Sequence, residues 1–454
     1  MTTPLTPPYT LYTNKTLLNL IIPIIIDQIL LITVGMLDTM MVAYLGDATV
    51  SGVSIVNMTN IFIGNLYYAM TTGGAVVAAQ FLGAKQNDNA RDSAKQLIFV
   101  AFTFAAASSA FCELFNARLL TTLYGDLAPD VLKDATVYFR YTALTYPILA
   151  IKASGAALLR AQNQSKYTMY ASILTNLLNF VGNYLFIFVF KMGVRGAAIA
   201  TLGSHIVSMF YVLWLLTDTS RVIYIRIWER VHLNWNIIKK ILYIGVPSGI
   251  ENSVFQLGRV LVIGVIAKFG TIELAANAVA LSLDSFTILC GGGFGLAMIT
   301  VIGQAVGASD EGQCRFYIHK MMKWSYIAHL INSAIILLAL PLILKCFTKL
   351  TPEALNLARW LVLFHCICGL VSWPASFVFP NVLRACNDVR FTMTSSILSM
   401  FLVRVGLSYA LSYYFQMGAI GVWCAMVADW IVRISCFGGR YLSNRWKTHA
   451  AFTS

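Results

Sequence analysis

Asp38 is an ionisable side chain deep inside a long apolar stretch near the start of the chain, well downstream of Pro23 in the same stretch. A charged group in such surroundings is costly and is usually retained for a function. A carboxylate there could bind a hard cation such as Na⁺. It could also take up and release a proton. The sequence therefore predicts an ion-binding role for Asp38.

Further polar oxygens stand on two later apolar stretches. Asn176, Asn179 and Asn183 are spaced i, i+3 and i+7, so on a helix they share one face. Thr201 lies on the next stretch. Amide and hydroxyl oxygens combined with a carboxylate are ligands that suit Na⁺. The alternative is that the Asn and Thr side chains only join helices by hydrogen bonds.

Two other acids, Asp27 and Glu251, each stand at position i+4 after a proline in an apolar stretch. Both could face a cavity and attract cationic substrates. Alternatively, each could pair with a nearby base, such as Lys152 or Arg259. The candidates for the lining of such a cavity are Asp27, Asn176, Glu251 and Asp284.

An acid and a base are also close together in the last apolar stretch. Asp429 and Arg433 are spaced i, i+4, so on a helix they are neighbours on one face. The simplest interpretation is an ion pair that neutralises both charges. The six histidines are scattered and form no pair with metal-ligand spacing, so we assign them no role.

The composition excludes a soluble protein. Of the 454 residues, 58% are hydrophobic and 11% are charged, against about 25% charged in an average soluble domain. Continuous apolar runs of about 20 residues indicate an all-α polytopic membrane protein. The net charge of +13 comes mainly from Lys and Arg between those runs, which favours a lipid bilayer over nucleic acid as the partner. No catalytic motif such as H-E-x-x-H occurs, so we expect that the chain is not an enzyme.

The apolar stretches predict twelve transmembrane helices, with kinks or tilts expected at Gly73–Gly74 and at Gly291 to Gly293. An even number of spans puts both termini on one side of the membrane. Lys and Arg are roughly twice as frequent in the loops on that side, which predicts cytoplasmic termini. The helices are expected at about 17–45, 50–82, 93–115, 135–160, 167–190, 195–217, 240–268, 273–306, 319–345, 355–383, 391–415 and 418–440.

The second half of the chain repeats the first at a constant offset of 224. Pro23 falls on Pro247, and Asp27 falls on Glu251. One offset held across Pro, Gly, Gln and Arg positions indicates a duplication rather than a shared composition. Further matches are Gly46 with Gly270, Ala79–Ala84 with Gly303–Ala308, Leu159–Ala161 with Leu383–Ala385, and, at offset 225, Met192–Gly193 with Met417–Gly418.

The repeat predicts how the chain is organised. Each half holds six helices in one orientation, and a pseudo-twofold axis along the membrane normal relates the halves. We expect an N-terminal half at 1–217, a cytoplasmic linker at 218–238 and a C-terminal half at 239–454. Two such halves would enclose a central cavity that can open to either side, as alternating access requires.

Several short motifs occur in a specific order and spacing. They are GMLDTMMVAYLG at Gly35–Gly46, AQxxGA at Ala79–Ala84, LRxxN at Leu159–Asn163, and GxxGAAIAT at Gly193–Thr201. Together they resemble the multidrug and toxic compound extrusion family over nearly the whole chain. The resemblance implies a twelve-helix antiporter that exports organic compounds in exchange for Na⁺ or H⁺. It also implies that Asp38 is the main cation-coupling carboxylate, as in prokaryotic members.

The repeat provides an internal control for the predicted cation site. Hydrogen bonds that the fold itself needs would be expected in both halves. The polar groups of the site occur only in the N-terminal half, which favours a specialised cation site there. The repeat partners of Asp38, Asn179, Asn183 and Thr201 are Val262, Val403, Leu407 and Met426.

The chain departs from the family pattern at three positions. One branch of the family has Asp where this chain has Asn183, so the site carries one carboxylate fewer. Another branch has two carboxylates in the C-terminal half, where this chain has Phe255 and Trp373. We therefore expect no cation site of that branch in the C-terminal half.

These observations predict a cation-coupled antiporter for drugs and other organic, often cationic, compounds. We expect no cofactor beyond Na⁺ or H⁺ as the coupling ion. The expected partners are small organic molecules and the lipid bilayer, and the expected assembly is a monomer in the plasma (inner) membrane of a prokaryote. The alternative is a flippase of lipid-linked precursors, which would favour a strongly basic cavity. The acids at Asp27, Asp38, Glu251 and Asp284 make an anionic substrate less natural.

Overall fold

The computed structural model describes residues 10–226, 232–347, 350–450 and 452. Every regular element in these residues is a helix, and no strand occurs among them. Twelve of the described helices are long and apolar enough to cross a membrane. The prediction of an all-α, multi-pass membrane protein with twelve spans is therefore confirmed.

We number the helices in chain order. The first seven are α1 (Asn14–Ala43), α2 (Asp47–Gly83), α3 (Asn87–Leu114), α4 (Asn116–Tyr124), α5 (Pro129–Ala161), α6 (Ser165–Val189) and α7 (Val194–Thr217). The others are α8 (Trp235–Ala267), α9 (Thr271–Thr287), α10 (Leu289–Gly307), α11 (Glu311–Lys345), α12 (Pro352–Ala385), α13 (Val389–Tyr414), α14 (Gly418–Leu442) and α15 (Trp446–His449). The short helices α4, α9 and α15 are not among the twelve spans.

The chain divides into two compact units. Tyr12–Gly249 is the N-terminal unit, and Ile250–Ser454 with Met1–Leu11 is the C-terminal unit. In the N-terminal unit α2 packs against α3 and α5, and α6 packs against α1 and α7. In the C-terminal unit α12 packs against α9 and α10, and α13 packs against α14. Residues 227–231 of the predicted linker 218–238 lie outside the described residues, and the predicted domain boundaries stay a prediction.

The turns between helices show the repeat in the backbone. Lys85 and Ser309, which are matched by the repeat, have φ values of 58° and 54°. Asn163 and Asn387, which are matched in the same way, have φ values of 62° and 64°. A positive φ is uncommon for any residue other than glycine, so its recurrence at matched positions reflects the duplication. Corresponding turns of the two units therefore share one backbone conformation.

Gly73 and Gly74 lie inside α2, where the sequence suggested a kink, but the helix runs without interruption from Asp47 to Gly83. A Cβ atom on Gly73 would lie 2.3 Å from the carbonyl oxygen of Ile241 in α8. A Cβ atom on Gly74 would lie 2.4 Å from the side chain of Leu97 in α3. The two glycines therefore serve close helix packing.

The helix expected at 273–306 is divided into α9 and α10, and the break falls at Ile288, just before the predicted kink. The side-chain amide of Asn332 in α11 donates hydrogen bonds to the carbonyl oxygens of Phe286 at 2.7 Å and Thr287 at 2.9 Å. Insertion of a polar side chain at freed carbonyl groups is a known cause of helix interruption. Asn332 therefore stabilises the break.

Short π-helical turns interrupt α6, α12 and α13. They lie at Tyr184–Val189, Pro374–Val378, Ser399–Val405 and Ala410–Tyr414. Such turns shift the register of the side chains along a helix and are frequent at functional sites. Asn183 directly precedes the first of these turns, and Arg404 lies in the third.

Candidate functional site

The four residues predicted for the cation site form one chain of hydrogen bonds in the N-terminal unit. The amide nitrogen of Asn183 donates to Oδ1 of Asp38 at 2.5 Å and to Oδ1 of Asn179 at 3.2 Å. The amide nitrogen of Asn179 donates to Oγ1 of Thr201 at 3.2 Å. The hydroxyl of Thr201 donates to the carbonyl oxygen of Ala197 at 3.0 Å. Helices α1, α6 and α7 thus bring together residues that are far apart in sequence.

One acceptor in this hydrogen-bonded chain of side chains is buried without a partner. Asn179 and Asn183 are 1% and 0% exposed, and Asp38 is half-buried. Oδ1 of Asn183 is buried and accepts no hydrogen bond from the described part of the chain. A buried unsatisfied oxygen beside a carboxylate is costly unless a ligand or water completes it. The donor set therefore fits a hard cation bound by Asp38 and Asn183, or a proton on Asp38.

Asn176 lies on the same face of α6 but is not part of this chain. Its amide nitrogen donates to the carbonyl oxygen of Ser172 in its own helix at 2.9 Å. Its Oδ1 is buried and has no hydrogen-bond partner in the described residues. The structure therefore separates Asn176 from the candidate cation site, and its predicted place in a substrate cavity stays a prediction.

Asp27 and Glu251 each pair with an arginine and a serine. Arg384 approaches Glu251 at 2.8 Å, and the Ser396 hydroxyl donates to Glu251 at 2.7 Å. Arg160 lies 4.0 Å from Asp27, and the Ser172 hydroxyl donates to Asp27. The three residues of one set match those of the other at the offset of the repeat. We call these sets the repeated acid–arginine–serine clusters.

The repeated clusters agree with the alternative that each acid pairs with a base, but they correct which base it is. Lys152 was a candidate partner for Asp27, but its ammonium group donates to the Thr175 hydroxyl at 2.7 Å. Arg259 was a candidate partner for Glu251, but Glu251 pairs with Arg384. Since both arginines of the clusters belong to the LRxxN motif, the repeat itself was the signal that could have identified them. Occurrence in both units favours a role in the fold.

Asp284 pairs with a histidine that sequence reasoning assigned no role. Nε2 of His365 lies 2.8 Å from Oδ1 of Asp284, and His365 is 1% exposed. The hydroxyl of Thr287 lies 3.4 Å from Nδ1 of His365. The expectation of six uninvolved histidines is therefore wrong for His365. Within the described residues, no group of three or more His, Cys, Asp or Glu side chains could hold a metal ion.

Asp429 and Arg433 form the ion pair that their spacing predicted. Nε of Arg433 donates to Oδ1 of Asp429 at 3.0 Å, and both residues are buried. The Ser399 hydroxyl also donates to Asp429. Nη1 of Arg404 lies 4.0 Å from the second oxygen of Asp429. The pair is thus part of a buried polar cluster, which we call the Asp429 cluster.

Aromatic rings occupy the two positions where a branch of the resembled family carries carboxylates. The guanidinium groups of Arg404 and Arg433 lie 5.5 and 5.4 Å from the ring centre of Phe255, which is within cation–π distance. The ring of Trp373 stacks on His329 and on Phe377. Phe255 therefore makes cation–π contacts, and Trp373 stacks with neighbouring rings.

Comparison with known proteins finds one family of transporters, and the match covers most of the chain. The MatE family model matches residues 23–185 and 247–410, two segments that begin at the repeat-related Pro23 and Pro247. A probable multidrug resistance protein NorM of Thermotoga maritima is 24% identical, over 97% of this chain and 94% of that protein. An uncharacterised transporter, YisQ of Bacillus subtilis, is 25% identical, over 95% and 94%.

Solved structures share the fold. An outward-facing multidrug resistance MATE family transporter of the MOP superfamily has a TM-score of 0.88 at 21% identity and covers 96% of each chain. A crystal structure of MATE in a bent conformation has a TM-score of 0.86 at 22% identity, covering 96% of this chain and 97% of the other. At these identities the likeness supports the helical architecture and no more.

Proposed function

This chain belongs to the MatE family of transporters, and on that premise we propose that it exports organic compounds by cation-coupled antiport. The observation that carries the proposal is the hydrogen-bonded chain of Asp38, Asn183, Asn179 and Thr201. It combines a charged oxygen with a buried, unpartnered amide oxygen, and both are ligands for Na⁺. If the coupling ion is H⁺, the Asp38 carboxylate would bind and release the proton instead.

Coupling requires that the cation binds differently in the two access states. A ligand shifts a conformational equilibrium only by its differential affinity for the two states. Asp38 lies on α1, whereas its partners lie on α6 and α7. A movement of α1 relative to α6 changes the distance between Asp38 and Asn183, and thereby the affinity for the cation. This distribution over three helices supports the proposal, because it would link cation binding to helix movement.

The experiment that tests the proposal measures efflux of a fluorescent organic cation from proteoliposomes. A Na⁺ gradient and a pH gradient are imposed separately, each at constant membrane potential. We expect one of the two gradients to drive efflux against the substrate gradient, and no net efflux when neither is imposed. An efflux rate that changes with neither the Na⁺ gradient nor the pH gradient would contradict cation coupling.

We further propose that the carboxylates of Asp27 and Glu251, beside their role in the fold, attract cationic substrates. Asp27→Asn and Glu251→Gln should then reduce export of organic cations about tenfold or more, with a smaller effect on neutral compounds. The measurement compares initial efflux rates of a cationic and a neutral substrate in the same liposomes. Equal loss for both substrates, with reduced yield of folded protein, would instead assign the clusters to the fold.

The proposed orientation places both termini in the cytoplasm of a prokaryotic cell, with the protein a monomer in the plasma membrane. The orientation follows from the excess of Lys and Arg in the loops on the side of the termini. Single cysteines at position 3 and at position 220, in a cysteine-free background, should resist membrane-impermeant maleimide until the cells are permeabilised. Labelling of either position in intact cells would reverse the orientation.

A further inference from the structure

The C-terminal unit contains a small pocket that the proposed cation site does not explain. Arg259, Asn277, Arg404 and Trp423 line it, and its other walls are apolar. Its volume is about 20 Å³, which is room for roughly one water-sized group. All lining residues belong to the C-terminal unit. We call it the arginine pocket.

Arg404 contributes a buried guanidinium group with an unsatisfied donor. The residue is 7% exposed, and its Nε is buried without a hydrogen-bond partner in the described residues. Its nearest acid is Asp429 at 4.0 Å. Oδ1 of that acid accepts hydrogen bonds from Arg433 and Ser399, and Oδ2, the atom nearer to Arg404, is too far away for a hydrogen bond with it. Arg404 is therefore only weakly neutralised by the protein.

Arg259 adds a second positive charge to the same pocket. It makes no hydrogen bond and no ion pair within 4 Å to any described residue. Three acids lie deep in the membrane part of this unit, and each has a nearer partner: Glu251 pairs with Arg384, Asp284 with His365, and Asp429 with Arg433. Asp284 also interacts electrostatically with Arg259 and Arg404, so these three acids face four arginines. The pocket therefore holds more positive charge than the surrounding acids balance. Such an excess at membrane depth is costly without a ligand.

The remaining polar wall of the pocket also offers a donor. The indole nitrogen of Trp423 donates to Oδ1 of Asn277 at 3.0 Å. This bond engages the acceptor of the amide and leaves its NH₂ group as a donor. Two guanidinium groups and an amide donor, with no acid among the lining residues, form a wall that recognises an anion.

The repeat shows that the arginine pocket is specific to the C-terminal unit. At the offsets of 224 and 225, the positions that correspond to its polar residues carry small or apolar side chains. A polar set that the fold itself needed would occur in both units, as the repeated clusters do. The corresponding residues for Arg259, Asn277, Arg404 and Trp423 are Gly35, Val53, Phe180 and Ala198.

We propose that the arginine pocket binds the carboxylate group of an organic acid or zwitterion that the transporter carries. This assignment of a substrate class rests on the proposed function. Guanidinium groups bind carboxylates through parallel hydrogen bonds, which favours a planar carboxylate over a spherical halide. The N-terminal unit then holds the coupling cation, and the C-terminal unit holds the anionic end of the substrate.

The test measures binding of dansylglycine to the purified full-length protein by fluorescence, with dansylglycinamide as the matched uncharged probe. We expect the acid to bind about tenfold more tightly than the amide, because only the acid forms charge-assisted hydrogen bonds. Arg259→Gln should remove most of this preference. Arg359→Gln, which makes the same change at an exposed arginine, should leave it intact.

Three outcomes decide the proposal. Equal affinity for acid and amide in the unmodified protein would overturn it, and so would a preference that persists in Arg259→Gln. Competition by chloride at millimolar concentration, without any preference for the acid, would identify a halide site instead. The binding measurement needs no ion gradient, so it does not depend on cation coupling. Its failure is therefore distinguishable from a failure of cation coupling.

Discussion

Asp38→Asn is expected to abolish gradient-driven efflux while the protein still inserts and folds. An asparagine has the same size and can still accept the hydrogen bond from Asn183. It removes the negative charge and the titration, which are what binds Na⁺ or H⁺. Without differential cation binding, the gradient has no means of shifting the access equilibrium. We expect efflux to fall by about a hundredfold, equivalent to roughly 3 kcal/mol of coupling.

The measurement is efflux from proteoliposomes that contain equal amounts of folded protein. Asp88→Asn makes the same substitution at an exposed carboxylate and should transport at the unmodified rate. Asn183→Ala should be milder, raising the cation concentration needed for half-maximal efflux without abolishing it. Efflux by Asp38→Asn at the unmodified rate would exclude the N-terminal site and direct attention to Glu251 and Asp284.

Asp429→Asn is expected to cause a large loss of stability. The carboxylate is fully buried, accepts hydrogen bonds from Arg433 and Ser399, and is the nearest acid to Arg404. Replacing it by a neutral amide leaves two buried guanidinium groups without their nearest counter-charge. Loss of one partner of a buried ion pair costs about 3–5 kcal/mol. We therefore expect the free energy of unfolding to fall by about that amount.

Denaturant titration of the purified protein in detergent, followed by tryptophan fluorescence, measures this loss. The control is Glu311→Gln, because Glu311 pairs with Arg315 and Lys447 at a partly exposed site. Partly exposed pairs contribute about 0–1 kcal/mol, so the control should unfold close to the unmodified protein. Similar losses for the two variants would show that the Asp429 cluster contributes no more than an exposed ion pair.

The candidate cation site could be predicted from the sequence because two independent signals agreed. Asp38 was an acid in an apolar stretch, and the repeat partners of all four residues were apolar. The detailed contacts were less accessible, since which amide atom of Asn183 faces Asp38 depends on the side-chain torsion angles of Asn183. The π-helical turn that begins after Asn183 is a second detail of which helical periodicity gives no sign.

The missed features have a common physical cause. The break between α9 and α10 depends on Asn332, which lies on the following helix, α11. The partner of Asp284 is His365, which lies on α12. A single residue that packs against a helix distant in sequence leaves no periodic pattern. The arginine partners of Asp27 and Glu251, by contrast, could have been found from the sequence. The repeat that revealed the two acids also aligns Arg160 with Arg384.

Because the turn conformations recur, positions in one unit correspond structurally to positions in the other. Turns at Lys85 and Ser309, or at Asn163 and Asn387, have kept one backbone geometry while the side chains between them diverged. The duplicated framework and its chemical specialisation are therefore separable in evolution and in design. The C-terminal unit therefore offers defined positions for an engineered second ion site. They are the repeat partners of the four residues of the first site: Val262, Val403, Leu407 and Met426.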